Sequence, residues 1–386
     1  MTKVVHLVAA ARPNFMKVAP LYHALRTQEW ARPILVHTGQ HYDVNMSGAF
    51  LQDLGLPDPH IHLGIGSGSH AEQTGKVMIA YEKILLSEQP DMVVVVGDVN
   101  STIACALSAA KIHYPARETD APPSNGDLAS DRRPIVAHLE AGLRSLDRSM
   151  PEEVNRIATD VLSDVLWTPS PDADENLIRE GVDRSKIVRV GNIMIDSLEM
   201  LRERIEAQSV RAELGLQPRG YGVVTLHRPS NVDRAETLAA LCGLLVRLSR
   251  RIPLVFPVHP RTRRNLEAAG LLESIETAPG ITLLPPLSYV PFMSLIFDCR
   301  FVVTDSGGIQ EETTYLGIPC LTLRPSTERP ITITEGTNRL CGIDDVEQRL
   351  DEALAAGGSP RSAPALWDGR TAARVVESIR TTLQAI

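Results

Sequence analysis

Residues 92–110, MVVVVGDVNSTIACALSAA, decide the fold class. MVVVV is a short, unbroken apolar run without alternation. Such a run suits a central strand of a parallel sheet, buried on both faces. Gly97-Asp98-Val99-Asn100-Ser101-Thr102 follows as a polar turn, and residues 103–110 read as an apolar helix. Strand, polar turn and helix in succession are the repeating unit of α/β domains.

The rhythm extends in both directions. Strands are expected at 4–10, 34–38, 134–139 and 165–168. A second series is expected at 187–190, 222–226, 254–258, 281–284, 301–304 and 319–323, with a last helix over 365–384. A chain of 386 residues exceeds one comfortable core, so two domains are expected. The division is an N-terminal Rossmann-like domain over 1–190, a C-terminal one over 191–365, and a closing helix over 366–386 packing back towards the first. Ligands in such sheets bind beyond the C-terminal strand ends, and a cleft between two domains is a natural site. Residues 116–133, rich in Pro, Gly, Asp and Arg, interrupt the rhythm and read as an exposed loop.

Bulk composition narrows the partners. A net charge of -8 disfavours nonspecific nucleic-acid binding, but leaves room for a local pocket that takes a small anion. The five cysteines are scattered and form no C-x-x-C, as in a cytoplasmic protein with free thiols. No apolar run reaches the length of a membrane span, so no membrane insertion is expected.

Carboxylates at strand ends are the first chemical signal. Asp98 follows MVVVVG and Glu140 follows IVAHL. Two such groups in one crevice repel, which raises one pKa and suits proton transfer; each is equally able to cap a helix or pair with an arginine. In HLEAGLRSLDRSMPEE (138–153), Pro151 marks a helix start, with Val154, Ile157, Val161 and Leu162 as its apolar stripe. Glu152 can swing in from that start, and Arg156 lies one turn on as an ion-pair partner or anion contact. Arg12 and Lys17 follow the first strand as anion contacts or surface cations.

The second half carries anion-binding chemistry. Asp305-Ser306-Gly307-Gly308 follows the strand FVVT, where free N–H groups at a helix start can hold phosphate, or simply turn the chain. Glu312 is either a diol acceptor or an ordinary helix-start carboxylate. His227 and His259 end two strands, without the spacing of a metal site. Phe292 reads as core or as a face for a base. Neither G-x-G-x-x-G nor a Walker loop is present, so no cofactor is implied.

Taken in order, ARPNFMKVAPL, the GD after MVVVV, HLEAGLRS with MPEEVNR, VGNIMID, LHRPSN, FPVHP, YVPF and TDSGGIQEE resemble the non-hydrolysing UDP-N-acetylglucosamine 2-epimerases. The resemblance runs from about residue 3 to 365. It implies two Rossmann-like domains in a glycosyltransferase-B arrangement, a cytoplasmic homodimer and a UDP-sugar substrate. It also implies interconversion of UDP-GlcNAc and UDP-ManNAc, for surface polysaccharides, by elimination of UDP and its re-addition to 2-acetamidoglucal. By the same resemblance Asp98, Glu140 and Glu152 are the acid/base group. Arg12, Lys17, Arg156 and His227 contact diphosphate and sugar, with His227 counted among the catalytic residues. Ser306, Gly307 and Gly308 form the phosphate-binding helix start, Glu312 takes the ribose, and Phe292 lies against uracil. No metal is implied. Other readings are a UDP-sugar glycosyltransferase of this fold, a hydrolysing epimerase, and a noncatalytic sensor.

The chain departs from the family at two motifs. Ala10-Ala11-Arg12-Pro13-Asn14 stands where many members have Gly-Thr-Arg-Pro-Glu, and His227-Arg228-Pro229-Ser230 where many have His-Arg-Arg-Glu. Tyr42 and Asp43 after Gln40-His41 replace a more cationic pattern, so activation by a second UDP-GlcNAc is expected to be weak or absent.

Overall fold

The computed structural model describes residues 2–39, 51–114, 132–355 and 363–385. Gln40 to Asp43 and nearly all of the 116–133 segment lie outside them. The chain divides into two compact units, Met1–Ser197 with Asp368–Ile386, and Leu198–Trp367.

The first unit holds seven strands: β1 (Lys3–Ala9), β2 (Ala31–His37), β3 (Ile61–His62), β4 (Met92–Val96), β5 (Ile135–Leu139), β6 (Val165–Thr168) and β7 (Ile187–Arg189). Their order is β3-β2-β1-β4-β5-β6-β7, every pair parallel. The second unit holds β8 (Gly222–Thr225), β9 (Leu254–Pro257), β10 (Ile281–Leu284), β11 (Phe301–Thr304), β12 (Cys320–Thr322) and β13 (Asn338–Leu340). Their order is β10-β9-β8-β11-β12-β13, again all parallel. Parallel neighbours require crossovers, which the intervening helices supply. In each sheet the winding direction reverses at one central pair, β1–β4 and β8–β11, where ligands of such sheets collect.

The residues of β4 explain its central place. Met92 to Val96 are all buried, and burying each valine contributes roughly 1.5–3 kcal/mol. β7 differs from expectation. It opens no second series but closes the edge of the first sheet, pairing with β6. The C-terminal helix Thr371–Gln384 belongs to the first unit. Its first N–H groups donate to Asp196, and Trp167 Nε1 donates to Ser378 Oγ at 2.9 Å.

The helix Pro151–Leu162 reverses the expected amphipathicity. Val154 and Val161 are 46% and 71% exposed, whereas Glu153, Arg156, Thr159 and Asp160 are buried. A helix can bury charge only where partners await it, and those partners lie at the ends of β4 and β5.

Candidate active site

In the first unit, Asn14 closes the end of the β1–β4 pair. It is buried in the first turn of the helix Arg12–Arg26. Its Oδ1 accepts from Ala11 N at 3.0 Å, and its Nδ2 donates to Val96 O at 3.0 Å. The amide can thus both accept and donate, which a glutamate in the family's usual pattern cannot do as a carboxylate. One turn on, Lys17 Nζ donates to Glu140 Oε2. Gly97, at φ +70°, a conformation that favours glycine, lies beside both: a Cβ there would lie 3.4 Å from Lys17 Nζ and 3.7 Å from Glu140 Oε2.

Glu140 itself holds φ +70°, a conformation that costs a non-glycine residue about 1–3 kcal/mol. Its side chain is buried, and Oε1 has no hydrogen-bond partner among the described residues. A strained backbone and a buried carboxylate oxygen with no partner among the described residues suit a group that can contact a ligand.

Asp98 leaves the same turn, half-buried. Arg156 Nη2 donates to its Oδ2 at 2.6 Å, and Arg156 Nη1 donates to Glu153 Oε2 at 2.6 Å. Glu153 in turn accepts from the N–H groups of Ser145 and Leu146 at 2.9 and 3.0 Å. Asn155 Nδ2 donates to Asp98 O at 2.9 Å. Below this lies His138, fully buried, between Asp160 Oδ1 at 2.6 Å and Gly97 O at 2.8 Å. Burial opposes the charge of Asp160, but His138 and Arg144 hold it below the usual carboxylate range. Arg144 extends the network to Glu180 at 2.7 Å.

The second unit places Asp305 at the β8–β11 pair. Asp305 is buried and accepts from His227 N, Arg228 N and Asn231 Nδ2 at 2.9 to 3.1 Å. His227 Nδ1 lies 2.9 Å from Asp305 Oδ1. Burial opposes the Asp305 charge, yet these donors lower its pKa. An ionised carboxylate only accepts, so His227 gives Nδ1–H to it and leaves Nε2 free to face a ligand. His259 stands beside His227, ring centroids 5.6 Å apart; burial, then the His227 charge, lowers its pKa.

Ser306 caps the helix Gly307–Leu316, whose first N–H groups have no partner in their own helix. Above them sit two guanidiniums. A Cβ on Gly307 would lie 3.1 Å from Arg329 Nη1 and 4.0 Å from Arg324 Nη1. Arg324 pairs with Glu328 through two 3.0 Å bonds, and Arg329 with Glu311 at 2.9 Å. Burial works against Glu328, but the two arginines bring its carboxyl down to about 2. Backbone N–H groups, a helix dipole and fixed guanidiniums together are able to hold an anion. Further along that helix, Glu312 is buried and accepts from Tyr289 O–H at 2.8 Å. Burial, with Glu311 adding to it, pushes Glu312 up to about 8 against the tyrosine's bond.

The expected residues therefore divide. Asp98, Glu140, Lys17 and Arg156 gather around Gly97 in the first unit. Arg12 begins its helix, exposed, and Glu152 lies on the exposed side of the turn that buries Glu153. In the second unit His227 lies at the end of β8, Ser306, Gly307 and Gly308 form a helix start, and Glu312 follows one turn later. Phe292 is half-buried on the helix Tyr289–Asp298. Sequence reasoning missed His138, Asp160, Asn14, Asp305, Arg324, Glu328 and Arg329. Two left a signal: His138 is a lone polar residue in the apolar strand IVAHL, and Asp305 ends FVVT as Asp98 ends MVVVVG. Among the described residues no group of three or more His, Cys, Asp or Glu side chains is placed to hold a metal. No described helix is long and apolar enough to cross a membrane.

Known proteins resemble this chain along nearly its whole length. The UDP-N-acetylglucosamine 2-epimerase family matches residues 23–117 and 126–380. A UDP-N-acetylglucosamine 2-epimerase homolog of Methanococcus maripaludis is 38% identical over 380 residues, spanning 98% of this chain and 99% of its own. A UDP-2,3-diacetamido-2,3-dideoxy-D-glucuronate 2-epimerase of Pseudomonas aeruginosa is 38% identical over 339 residues, 87% of each chain. The crystal structure of the Methanocaldococcus jannaschii UDP-GlcNAc 2-epimerase, in complex with UDP-GlcNAc and UDP, aligns with a TM-score of 0.80 and 36% identity. That alignment covers 98% of this chain and 99% of the other. Its fold is thus the glycosyltransferase-B-like α/β fold of these neighbours. With this match along nearly its whole length, the chain belongs to the UDP-N-acetylglucosamine 2-epimerase family.

Proposed function

We propose that this protein interconverts UDP-GlcNAc and UDP-ManNAc without hydrolysis. The family match supports the epimerase activity. The observation that carries the chemistry is the pair of carboxylates, Asp98 and Glu140, on adjacent parallel strand ends. One is held by Arg156, and the other has a buried oxygen with no hydrogen-bond partner among the described residues.

The C2 proton of the sugar is not adjacent to a carbonyl, so its removal must be coupled to another bond breaking. Asp98 takes the C2 proton, the C2–H electrons form a C1–C2 double bond, and the C1–O bond breaks with its electrons to the UDP diphosphate. The product pair is 2-acetamidoglucal and UDP. Re-addition of UDP at C1, with proton return to the opposite face of C2, completes inversion; Glu140 and Glu152 serve that face. The diphosphate charge that develops is met by the helix start at Ser306–Gly307–Gly308, by His227 Nε2 and by Arg12, with Glu312 on the ribose and Phe292 against the base. Lys17, engaged with Glu140, is a further cation for diphosphate or sugar. No cofactor enters.

We further propose a cytoplasmic homodimer that uses the exposed apolar face of the helix Pro151–Leu162. Its support is Val154 and Val161 standing in solvent while the opposite face is buried. Five free, buried thiols suit a reducing compartment. Val161→Asp should convert a dimer to a monomer by light scattering; an unchanged mass would rule out this face.

The deciding experiment is incubation with UDP-GlcNAc alone in deuterated water, followed by proton NMR. UDP-ManNAc carrying deuterium at C2 is expected. Free ManNAc would identify a hydrolysing enzyme, and an unchanged sugar a transferase or sensor. The Pseudomonas relative gives a second reading. UDP-2,3-diacetamido-2,3-dideoxy-D-glucuronate belongs in a parallel tube, and exchange confined to that tube would reassign the substrate.

A further inference from the structure

The buried face of the helix Pro151–Leu162 holds the turn Gly97–Asp98 at two points directly and at a third through His138. Arg156 holds the Asp98 carboxylate, Asn155 holds the Asp98 carbonyl, and Asp160 backs His138 against the Gly97 carbonyl. The same face holds the segment after β5: Asp160 accepts from Gly142 N at 3.2 Å, and Glu153 accepts from Ser145 N and Leu146 N. Glu140 lies in that segment. One helix therefore fixes both strand ends from which the two carboxylates project.

We infer that His138 is a positioning residue for Asp98: backed by Asp160, it holds the Gly97 carbonyl and so fixes the peptide that aims the Asp98 carboxylate. The inference rests on the proposed role of Asp98 in proton transfer. Its chemistry follows from the partners. A backbone carbonyl only accepts, so Nε2–H is the ring's donor to Gly97, while Nδ1 faces Asp160. The groups around the ring are Asp160 on its own side and, beyond it, Arg144 and Glu180. Gly97 needs such a tether. Lacking a Cβ, it has the widest conformational freedom in the turn, which lets it take φ +70°, and no side chain of its own packs it in place.

The role explains why a histidine stands in an apolar strand. A leucine would fill β5 as well, but would take away the His138 donor to the Gly97 carbonyl and leave Asp160 with Arg144 and Gly142 N alone. It also explains the reversed amphipathicity of the helix, whose polar residues face inward because the turn they hold is there.

The test compares Asp160→Asn with the double variant His138→Leu/Asp160→Asn. Both lack the buried anion, so both lose the stability of that charge pair. In the single variant the ring accepts from the asparagine amide at Nδ1 and still donates Nε2–H to Gly97. In the double variant that donor is gone. Solvent deuterium incorporation at C2 is measured at saturating and at limiting UDP-GlcNAc. The double variant is expected to show a kcat on the order of 100-fold below the single variant, with KM within about threefold. A merely structural role predicts equal kcat in the two, and that result would overturn the inference.

If the double variant does not fold, Asn155→Ala carries the test, since that side chain is partly exposed and outside the core. Its kcat should fall about tenfold; an unchanged kcat would show that Asp98 needs no positioning through this turn and would overturn the inference. Asp98→Asn run alongside separates the two layers. Retained exchange there removes the proposed role of Asp98. Lost exchange there, with equal kcat in the His138 pair, removes only the positioning role.

Discussion

The two sheets share one strand order, yet the ends of their central strands are finished in different materials. In the first, the turn after β4 is walled by side-chain charge: Lys17 on Glu140, Arg156 on Asp98, His138 and Asp160 beneath. In the second, the turn after β11 presents backbone N–H groups with Arg324 and Arg329 above them, and its strand-end carboxylate, Asp305, is consumed inside by four donors. Asp98 and Asp305 hold equivalent places, after the fourth strand of each sheet. One keeps an oxygen in a half-open site; the other is a buried strut that orients His227. The contrast teaches that strand-end position does not by itself make a carboxylate reactive. What its oxygens already bond to decides.

The sharpest way to break the comparison is to neutralise the two aspartates in turn. Asp98→Asn should lower C2 exchange by about 10²–10⁴, the usual worth of a proton-transfer group, with UDP affinity changed by less than about twofold. Asp305→Asn should do the reverse in kind, weakening UDP binding and the thermal midpoint through His227 and Arg228. Calorimetric titration with UDP and NMR exchange rates on both variants read the split. If Asp98→Asn exchanges normally, the first sheet is not where the proton moves.

A smaller effect is expected at Gly307. Alanine there places a methyl 3.1 Å from Arg329 Nη1, at the flexible end of a side chain, so the fold tolerates it while the guanidinium shifts from the helix start. Loss of one charge-assisted bond to phosphate corresponds to roughly a tenfold weaker UDP Kd. Exchange at saturating substrate should stay within about threefold. Equal losses in Kd and kcat would mean that the two sheets do not divide binding and proton transfer.

The sequence disclosed this division unevenly, for physical reasons. β4, β6 and β11 were legible to the residue because short, mostly apolar runs admit one environment, burial at every position; β10, an edge strand with mostly half-buried positions, was legible from its apolar residues alone. β3 and β13 were not, since Ile61–His62 and Asn338–Leu340 are sheet-edge strands too short to carry a pattern. The helix Pro151–Leu162 misled because its apolar residues are regularly spaced, but the residues that pull its charged face inward, Asp98, His138 and Arg144, are remote in sequence. Asp98, Glu140 and the helix start at Ser306 announced themselves by following strands. Arg324, Glu328 and Arg329 did not, because they lie on a loop beyond β12 and reach the helix start only in the folded unit.

Glu312 offers the finest discrimination, through pH. Burial raises its carboxyl from an ordinary 4.5 to about 8, so between those values the folded protein holds a proton that the unfolded chain releases. Stability from this group is fully present below about pH 4.5 and is lost as pH rises through about 8. Glu312→Gln keeps an oxygen for Tyr289 O–H but cannot titrate. The wild-type thermal midpoint should therefore fall relative to the variant between pH 5 and pH 8, by a slope of up to about one proton, and run parallel above about pH 9. Asp305 predicts the opposite sign: its lowered pKa supplies stability that is present above the ordinary carboxylate range and lost on acidification. The second sheet thus stores one carboxyl protonated and one ionised, a few residues apart, because one faces a lone tyrosine and a neighbouring glutamate while the other faces four donors. Parallel midpoints for wild type and Glu312→Gln from pH 5 to pH 8 would show that Glu312 is ionised in the fold, and would leave the tyrosine bond, rather than burial, in control of that site.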